Sequence, residues 1–220
     1  FQRIAEICKK HDIVLISDEV MTGFGRTGAN FGINHYGDVA DILCCAKGIS
    51  AGYFPLGAVI ARDHIHKTLK GSGQPFYSGQ TYSCIPLAAA AGMATLDYIK
   101  EHKLVENSKV VGEYMKGELM KLKEIDCVGD VRGKGLFLGV EFVKDQATKE
   151  VIEPSAFFSK NVERECLKNG LVAYACRGTV EYSKGDHMLF APPLTLTNEE
   201  ADLIVQKLGK SIKAVAQRLL

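Results

Sequence analysis

Residues 13–28, IVLISDEVMTGFGRTG, carry the strongest indication of the fold. Its opening residues, IVLIS, form a short apolar run rich in β-branched side chains, which is typical of a parallel-sheet strand buried on both faces. Residues 2–10 carry apolar positions at helical spacing and end in Lys9 and Lys10, where cations favour the end of a helix. A helix followed by a buried strand predicts an α/β fold.

The residues after this strand predict further elements of the same fold. Residues 21–38 are rich in glycine and asparagine, so we expect a long irregular loop of the kind that usually carries function. VADILCCA (39–46) and GAVIA (57–61) predict two more strands. Residues 85–105 have a helical pattern that continues or restarts through 106–124.

The pattern changes at Cys127, where a second set of elements begins. Thr197, followed by Glu200 three positions later, predicts a capping box that starts the last helix. We therefore expect residues 107–220 to form a small α+β domain, separate from residues 1–106. Before the capping box, strands are predicted within 127–143, 171–176 and 187–191, and a helix at 155–169 that ends at Gly170.

Composition excludes several classes of protein. The 220 residues are 46% hydrophobic and 24% charged, as in ordinary globular domains, and suffice for one or two of them. The 27 basic and 26 acidic residues leave a net charge of +1, which argues against nucleic acid or an anionic membrane as a partner. Apolar runs end well before the ~18 residues that a membrane-spanning helix requires.

Cysteine and histidine spacing argues against a metal site. The seven cysteines show no C-x-x-C pair, and the six histidines do not pair at metal-ligand spacing. Scattered cysteines are typical of small core residues in a reducing compartment, so we expect a cytoplasmic protein.

GFGRTG (23–28) matches the dinucleotide-binding pattern G-x-G-x-x-G and follows a predicted strand. That pattern must open a helix whose N-terminus holds the pyrophosphate, whereas ANFGINHYGD (29–38) is a poor helix former. The second strand also lacks the acidic residue that would bind a ribose. We therefore assign no dinucleotide site.

Asp18 and Lys47 are the more informative pair. Each follows a predicted strand, and ligands of α/β proteins bind at the carboxyl ends of strands. A lysine beside an apolar run would be partly desolvated, which favours its nucleophilic neutral amine. From spacing alone a second interpretation stays open, in which Asp18 caps a turn and Lys47 is a solvated strand end.

Four stretches together carry a resemblance to a known family, the class III aminotransferases. The resemblance runs in the family's order from about residue 1 to the segment 192–202. It implies a fold-type I enzyme that depends on pyridoxal 5′-phosphate (PLP). The stretches are SDEVMTGFGRTG (17–28), DILCCAKGISAGYFPLGAVIA (41–61), YSGQTYSCIPLAAAAG (77–92) and VGDVRGKGLFLGVEFV (128–143).

The resemblance implies a role for each site residue. Lys47 would form the Schiff base with PLP and transfer the proton between substrate and cofactor, as base and then acid. Asp18 would face the pyridine nitrogen and keep the ring protonated. Val20 would pack on the ring, and Thr81 would donate its hydroxyl to the cofactor phosphate. In some relatives an arginine near Arg177 binds a substrate carboxylate.

The resemblance also implies an activity and an assembly. The enzyme would move an amino group from an amine or ω-amino acid to an α-keto acid of the pyruvate or 2-oxoglutarate type. Residues 1–106 would be the C-terminal part of the large, mainly parallel-sheet PLP domain, and 107–220 the small domain. Because the phosphate threonine of the family comes from the neighbouring subunit, we expect a homodimer with its active site at the interface.

The chain departs from the family pattern in two ways. Ser78-Gly79 and Cys84-Ile85-Pro86 replace histidine-containing motifs around the phosphate threonine. The phosphate loop and the ring-stacking aromatic, which precede Asp18 in the family, are missing. Since the chain starts at Phe1 and not at Met, we expect it to be the C-terminal half of the enzyme. The alternatives are an aminomutase or decarboxylase of the same fold, or an inactive fragment that cannot hold PLP.

Overall fold

The computed structural model describes residues 1–220, which separate into two units, Phe1–Val105 and Glu106–Leu220. No helix in the chain combines the length and the apolar character that crossing a bilayer demands. Unit 1 contains α1 (Gln2–Lys10), β1 (Ile16–Asp18), β2 (Ile42–Cys45), β3 (Ala58–Ala61), α2 (Asp63–Gly71) and α3 (Pro86–Glu101).

The sheet of unit 1 has the order β1-β2-β3. Strands β1 and β2 are parallel, with Ile16 opposite Ile42 and Asp18 opposite Cys44. Strand β3 runs antiparallel to β2, so the part of the sheet in this chain is mixed. The parallel pair is the feature that positions the site, because both of its strands end at one edge.

The predicted burial of the first strand on both faces is wrong. Ile13, Val14 and Ile16 are about half exposed, at 53%, 47% and 57%. An apolar run indicates that a strand can pack against other apolar groups. Its burial also requires elements that cover both faces of the sheet. In this chain α1 buries none of its residues and the faces of the short sheet stay open.

Unit 2 is built around an antiparallel sheet of order β4-β5-β7-β6. Alternate strand residues such as Leu138, Val140 and Phe142 point into one apolar core, where they meet residues of all three helices. Helix α4 (Leu104–Lys121) starts at the end of unit 1, and the other elements are β4 (Val128–Lys134), β5 (Phe137–Phe142), α5 (Phe158–Lys168), β6 (Tyr174–Val180), β7 (Lys184–Phe190) and α6 (Asn198–Leu219).

Strands β6 and β7 are longer than the sequence predicted. The sequence predicts strands only at 171–176 and 187–191, yet the two strands pair from Tyr174↔Leu189 to Val180↔Lys184. The tight turn between them is possible because Glu181 and Tyr182 take positive φ values of 48° and 61°.

Two helix ends match their sequence signals. The Thr197 N–H donates to Glu200 Oε2 at 2.9 Å and the Glu200 N–H to Thr197 Oγ1 at 3.3 Å, which confirms the capping box. Gly170 follows α5 with φ 72°, and the Leu171 N–H donates to the Cys166 carbonyl at 2.9 Å. This is a Schellman ending, as the glycine predicted.

Candidate functional site

Asp18 and Lys47 come together at one edge of the unit 1 sheet. Asp18 is the last residue of β1 and lies opposite Cys44, while Lys47 follows the last residue of β2 by two positions. Because parallel strands present their carboxyl ends at the same edge, the register places both residues at that edge. Both side chains are exposed.

The Asp18 carboxylate is held by the chain that follows it. Its Oδ1 accepts the Val20 N–H at 3.0 Å, which closes a local turn. This carboxylate forms no ion pair, so its other oxygen stays free to accept a hydrogen bond.

Lys47 lies on a strained backbone with its ammonium group unpaired. Its φ of 45° is in the left-handed region, which costs a side-chain-bearing residue roughly 1–2 kcal/mol. Such conformations persist where the surrounding structure enforces them, and they concentrate at functional sites. The predicted partial desolvation of this lysine is not observed, because its side chain is exposed.

The turn that carries Lys47 is fixed on both sides. The Ser50 N–H donates to the Lys47 carbonyl at 3.2 Å, and the buried Ser50 hydroxyl donates to the Phe54 carbonyl at 2.6 Å. On the other side, a Cβ on Gly48 would lie 3.1 Å from the Phe24 Cβ. The glycine-rich loop therefore packs directly against the lysine turn.

Glu19 is the one strongly placed residue that the sequence analysis missed. It is 1% exposed, and its carboxylate accepts the N–H groups of Gly32 at 2.8 Å and of Ile33 at 2.7 Å. A signal for it was present: side chains alternate along a strand, so a residue next to Asp18 points the other way, into the protein. An acidic residue pointing inward must find several donors.

Val20 and Thr81 differ in how the chain presents them. Val20 is half-buried beside Asp18, whereas Thr81 is exposed in a turn at 81–84, which is closed by the Gln80 N–H donating to Ser83 Oγ at 3.0 Å. No hydrogen bond joins Thr81 to Asp18 or Lys47, so its hydroxyl is open to other partners.

Arg177 lies on β6 in unit 2, where its guanidinium already has neighbours. Its Nη2 donates to the Pro154 carbonyl at 2.6 Å, and its Nε is 3.5 Å from Asp186 Oδ1. The guanidinium carbon also lies 4.4 Å from the centre of the Phe157 ring. These contacts hold the arginine in place within unit 2.

The edge that holds Asp18 and Lys47 presents a carboxylate and an exposed amine. A free lysine amine is a nucleophile for an electrophilic carbon, and a carboxylate can hold a proton on a basic nitrogen. No three His, Cys, Asp or Glu side chains cluster closely enough to bind a metal ion.

Comparison with known proteins identifies relatives along nearly the whole chain. A family model described as aminotransferase class-III matches residues 1–212. A diaminobutyrate–2-oxoglutarate transaminase of Halomonas elongata is 38% identical over 224 residues, covering 100% of this chain and 46% of the relative. A putrescine–pyruvate aminotransferase of Pseudomonas aeruginosa is 35% identical over 223 residues, covering 99% of this chain and 46% of the relative.

Solved structures agree with these sequence relatives. A transaminase from the marine bacterium Virgibacillus superimposes with a TM-score of 0.94 at 37% identity, covering 99% of this chain and 49% of that one. The chain spans about half the length of the curated relatives that it matches.

Proposed function

This chain belongs to the class III aminotransferase family, and on that premise we propose that the protein carrying it transfers an amino group from an amine or ω-amino acid to an α-keto acid, with PLP as cofactor. Family membership and the α/β, fold-type I class, both expected from the sequence, are confirmed by the matches. The observation that carries the proposal is that Asp18 and Lys47, each with an exposed side chain, lie at one edge of the sheet.

The names of two relatives support this substrate class. One pairs putrescine with pyruvate, and the other pairs diaminobutyrate with 2-oxoglutarate. Both donors carry an amino group at the end of an aliphatic chain. We propose the same class for this protein, with pyruvate or 2-oxoglutarate as acceptor.

The side chains at the edge fit PLP. When bound, PLP supplies an electron-withdrawing ring that stabilises negative charge on the substrate carbon. Lys47 Nζ would hold the cofactor aldehyde covalently and, once released, take a proton from the substrate and return it. Asp18 would hold a proton on the ring nitrogen, and Val20 would pack on one face of the ring.

The remaining assignments concern the assembly and its setting. Thr81 would donate its exposed hydroxyl to the cofactor phosphate of a neighbouring subunit, which requires a homodimer. Residues 1–106 would belong to the large cofactor domain and residues 107–220 to the small domain. Seven free cysteines suit a reducing cytoplasm. Arg177 would bind a substrate carboxylate, for which it would have to exchange its contacts with Pro154 and Asp186.

A screen of amino donors and acceptors tests the proposal. The protein is incubated with PLP, and the visible absorption of the bound cofactor is followed as diamines, ω-amino acids and α-keto acids are added. We expect Lys47→Ala to abolish the absorption change, because the nucleophile is lost. Lys149→Ala is the matched control, since Lys149 is also exposed and also has a positive φ, of 58°.

The screen also separates the alternatives. Wild-type absorption and turnover in Lys47→Ala would contradict the proposal. Release of carbon dioxide, or an amino group moved within one molecule, would indicate a decarboxylase or an aminomutase instead. Absence of PLP binding by the unaltered protein would indicate an inactive fragment.

A further inference from the structure

We propose that Glu19 is the positioning residue of the site, and that its buried carboxylate fixes Asp18 and the Lys47 turn relative to each other. The inference rests on the proposed function for the roles of Asp18 and Lys47. It concerns how the chain holds Asp18 and Lys47 in position, which neither of these side chains does by itself.

Four donor groups surround the Glu19 carboxylate. Its Oε1 accepts the Ile33 N–H at 2.7 Å and the Ser17 hydroxyl at 3.2 Å. Its Oε2 accepts the Gly32 N–H at 2.8 Å and the Thr22 hydroxyl at 2.5 Å. All four groups donate, so the buried side chain is satisfied only as an acceptor at both oxygens.

The Glu19 carboxylate closes the loop that follows it. Gly32 and Ile33 begin the short 3-10 helix Gly32–Tyr36, whose first N–H groups need an acceptor from elsewhere. A Cβ on Gly23 would lie 2.8 Å from the Glu19 carbonyl oxygen, and one on Gly32 would lie 2.9 Å from the Thr22 Cβ. Gly23 and Gly32 thus allow the loop to fold tightly onto Glu19.

Two contacts link Glu19 to both site residues. Its N–H donates to the Cys44 carbonyl at 2.8 Å, which continues the pairing of β1 with β2 just beyond Asp18. The loop that it closes presents Phe24, whose Cβ would lie 3.1 Å from a Cβ on Gly48, next to Lys47. Release of the loop would therefore free both ends of the site.

Glu19→Gln tests this role at nearly constant size. In either orientation of the amide, its NH₂ group faces a backbone N–H, of Ile33 or of Gly32, so one donor loses its acceptor. The matched control is Asp186→Asn. Asp186 is also buried and accepts a backbone N–H and a hydroxyl, both from Ser159 in unit 2, and its Oδ1 lies 3.5 Å from Arg177 Nε.

Three quantities are measured: the dissociation constant for PLP, the pH midpoint of the visible band of bound PLP, and the hydrogen exchange of the Gly32 and Ile33 amides without PLP. We expect Glu19→Gln to weaken PLP binding about tenfold or more, as residues that orient a binding group typically do. It should also shift the midpoint and speed exchange at both amides. Asp186→Asn should lower the thermal midpoint while leaving the pH midpoint unchanged.

Wild-type affinity and pH midpoint in Glu19→Gln, or an equal shift in Asp186→Asn, would overturn the inference alone. If the unaltered protein binds no PLP, the proposed function fails and the inference falls with it. Should Glu19→Gln not fold, Thr22→Val removes one donor and keeps the carboxylate. It should then shift the midpoint in the same direction by less, and an unshifted midpoint would overturn the inference.

Discussion

Lys47 combines an unpaired ammonium group with a backbone that disfavours any side chain. Its φ of 45° would suit glycine, yet the next residue, Gly48, has no need of that conformation and instead provides room for Phe24. The strain is explained if the lysine side chain is required at this position. A lysine–glycine pair in a sequence therefore does not reveal which of its two residues bears the strain.

Cys127 is a residue whose burial has a consequence for stability. Burial is the largest cause that raises the pKa of the Cys127 thiol from 9.0 to about 11. Between these values the folded protein keeps a proton that the unfolded chain releases. Proton release therefore favours unfolding, and stability falls as the pH rises from 9.0 to about 11.

We expect Cys127→Ala to flatten that fall by about 2 kcal/mol, the equivalent of one to two pKa units. Urea unfolding from pH 8 to pH 11 measures it, and the comparison of slopes cancels the other groups that titrate there. Cys84→Ala, at an exposed cysteine, should keep the wild-type slope. Equal slopes for Cys127→Ala and wild type would contradict the assignment.

At the scale of elements, α4 is held to the sheet of unit 2 by a close backbone approach. A Cβ on Gly112 would lie 2.2 Å from the carbonyl carbon of Gly135, in the turn between β4 and β5. Backbone cannot move aside as the end of a side chain can, so the helix approaches that turn only because residue 112 is glycine. Gly117, on the same helix, meets nothing within 4 Å.

The two glycines of α4 should respond in opposite directions to the same substitution. We expect Gly112→Ala to destabilise unit 2 by about 2–3 kcal/mol through overpacking. Gly117→Ala should stabilise it by up to about 1 kcal/mol, because alanine favours a helix interior. Thermal unfolding of both variants measures the difference, and a destabilised Gly117→Ala with an unaffected Gly112→Ala would show that the described packing of α4 is wrong.

Elements with a local chemical signal could be predicted from the sequence, and those that depend on distant pairing could not. The Thr197–Glu200 capping box and the Gly170 ending involve residues within four or five positions of each other. The extended β6–β7 hairpin depends on pairs such as Arg177↔Asp186. These residues are polar, as residues in loops commonly are. Glu19 escaped prediction for the same reason, since the backbone N–H groups that donate to its carboxylate lie 13 and 14 residues away, at Gly32 and Ile33.

At the scale of the whole molecule, the two units are unequal in their cores. The large apolar core, from Val111 to Val215, belongs entirely to unit 2. Unit 1 instead exposes apolar side chains on several elements, among them Ile7, Ile16 and Val59. The continuous apolar pattern of the first strand predicted a strand correctly, but a sequence pattern does not state whether covering elements are present.

This inequality predicts the pattern of hydrogen exchange in the 220-residue chain. We expect the slowest amides in β5, β7 and α6, because opening them exposes the unit 2 core. Amides of β1 and β2 should exchange faster, since their surroundings are largely open. Exchange followed by NMR or mass spectrometry measures this order, and slowest exchange in β1 and β2 would contradict it.

Specific motifs identified the family where periodicity identified only an α/β fold. The order of the stretches around Asp18, Lys47 and Thr81 carried that information, and the family match over residues 1–212 bears it out. Periodicity alone left Asp18 as a possible turn cap and Lys47 as a possible strand end. The register of β1 with β2 adds what neither supplied, which is that the two residues share an edge.

Borohydride reduction shows whether Lys47 holds PLP covalently. The protein is mixed with PLP, reduced, digested and analysed by peptide mass spectrometry. We expect the cofactor on the peptide that contains Lys47 and its loss in Lys47→Ala, with Lys149→Ala unaffected. A reduced protein without the cofactor, or with it on another lysine while Lys47 stays unmodified, would contradict the role proposed for Lys47.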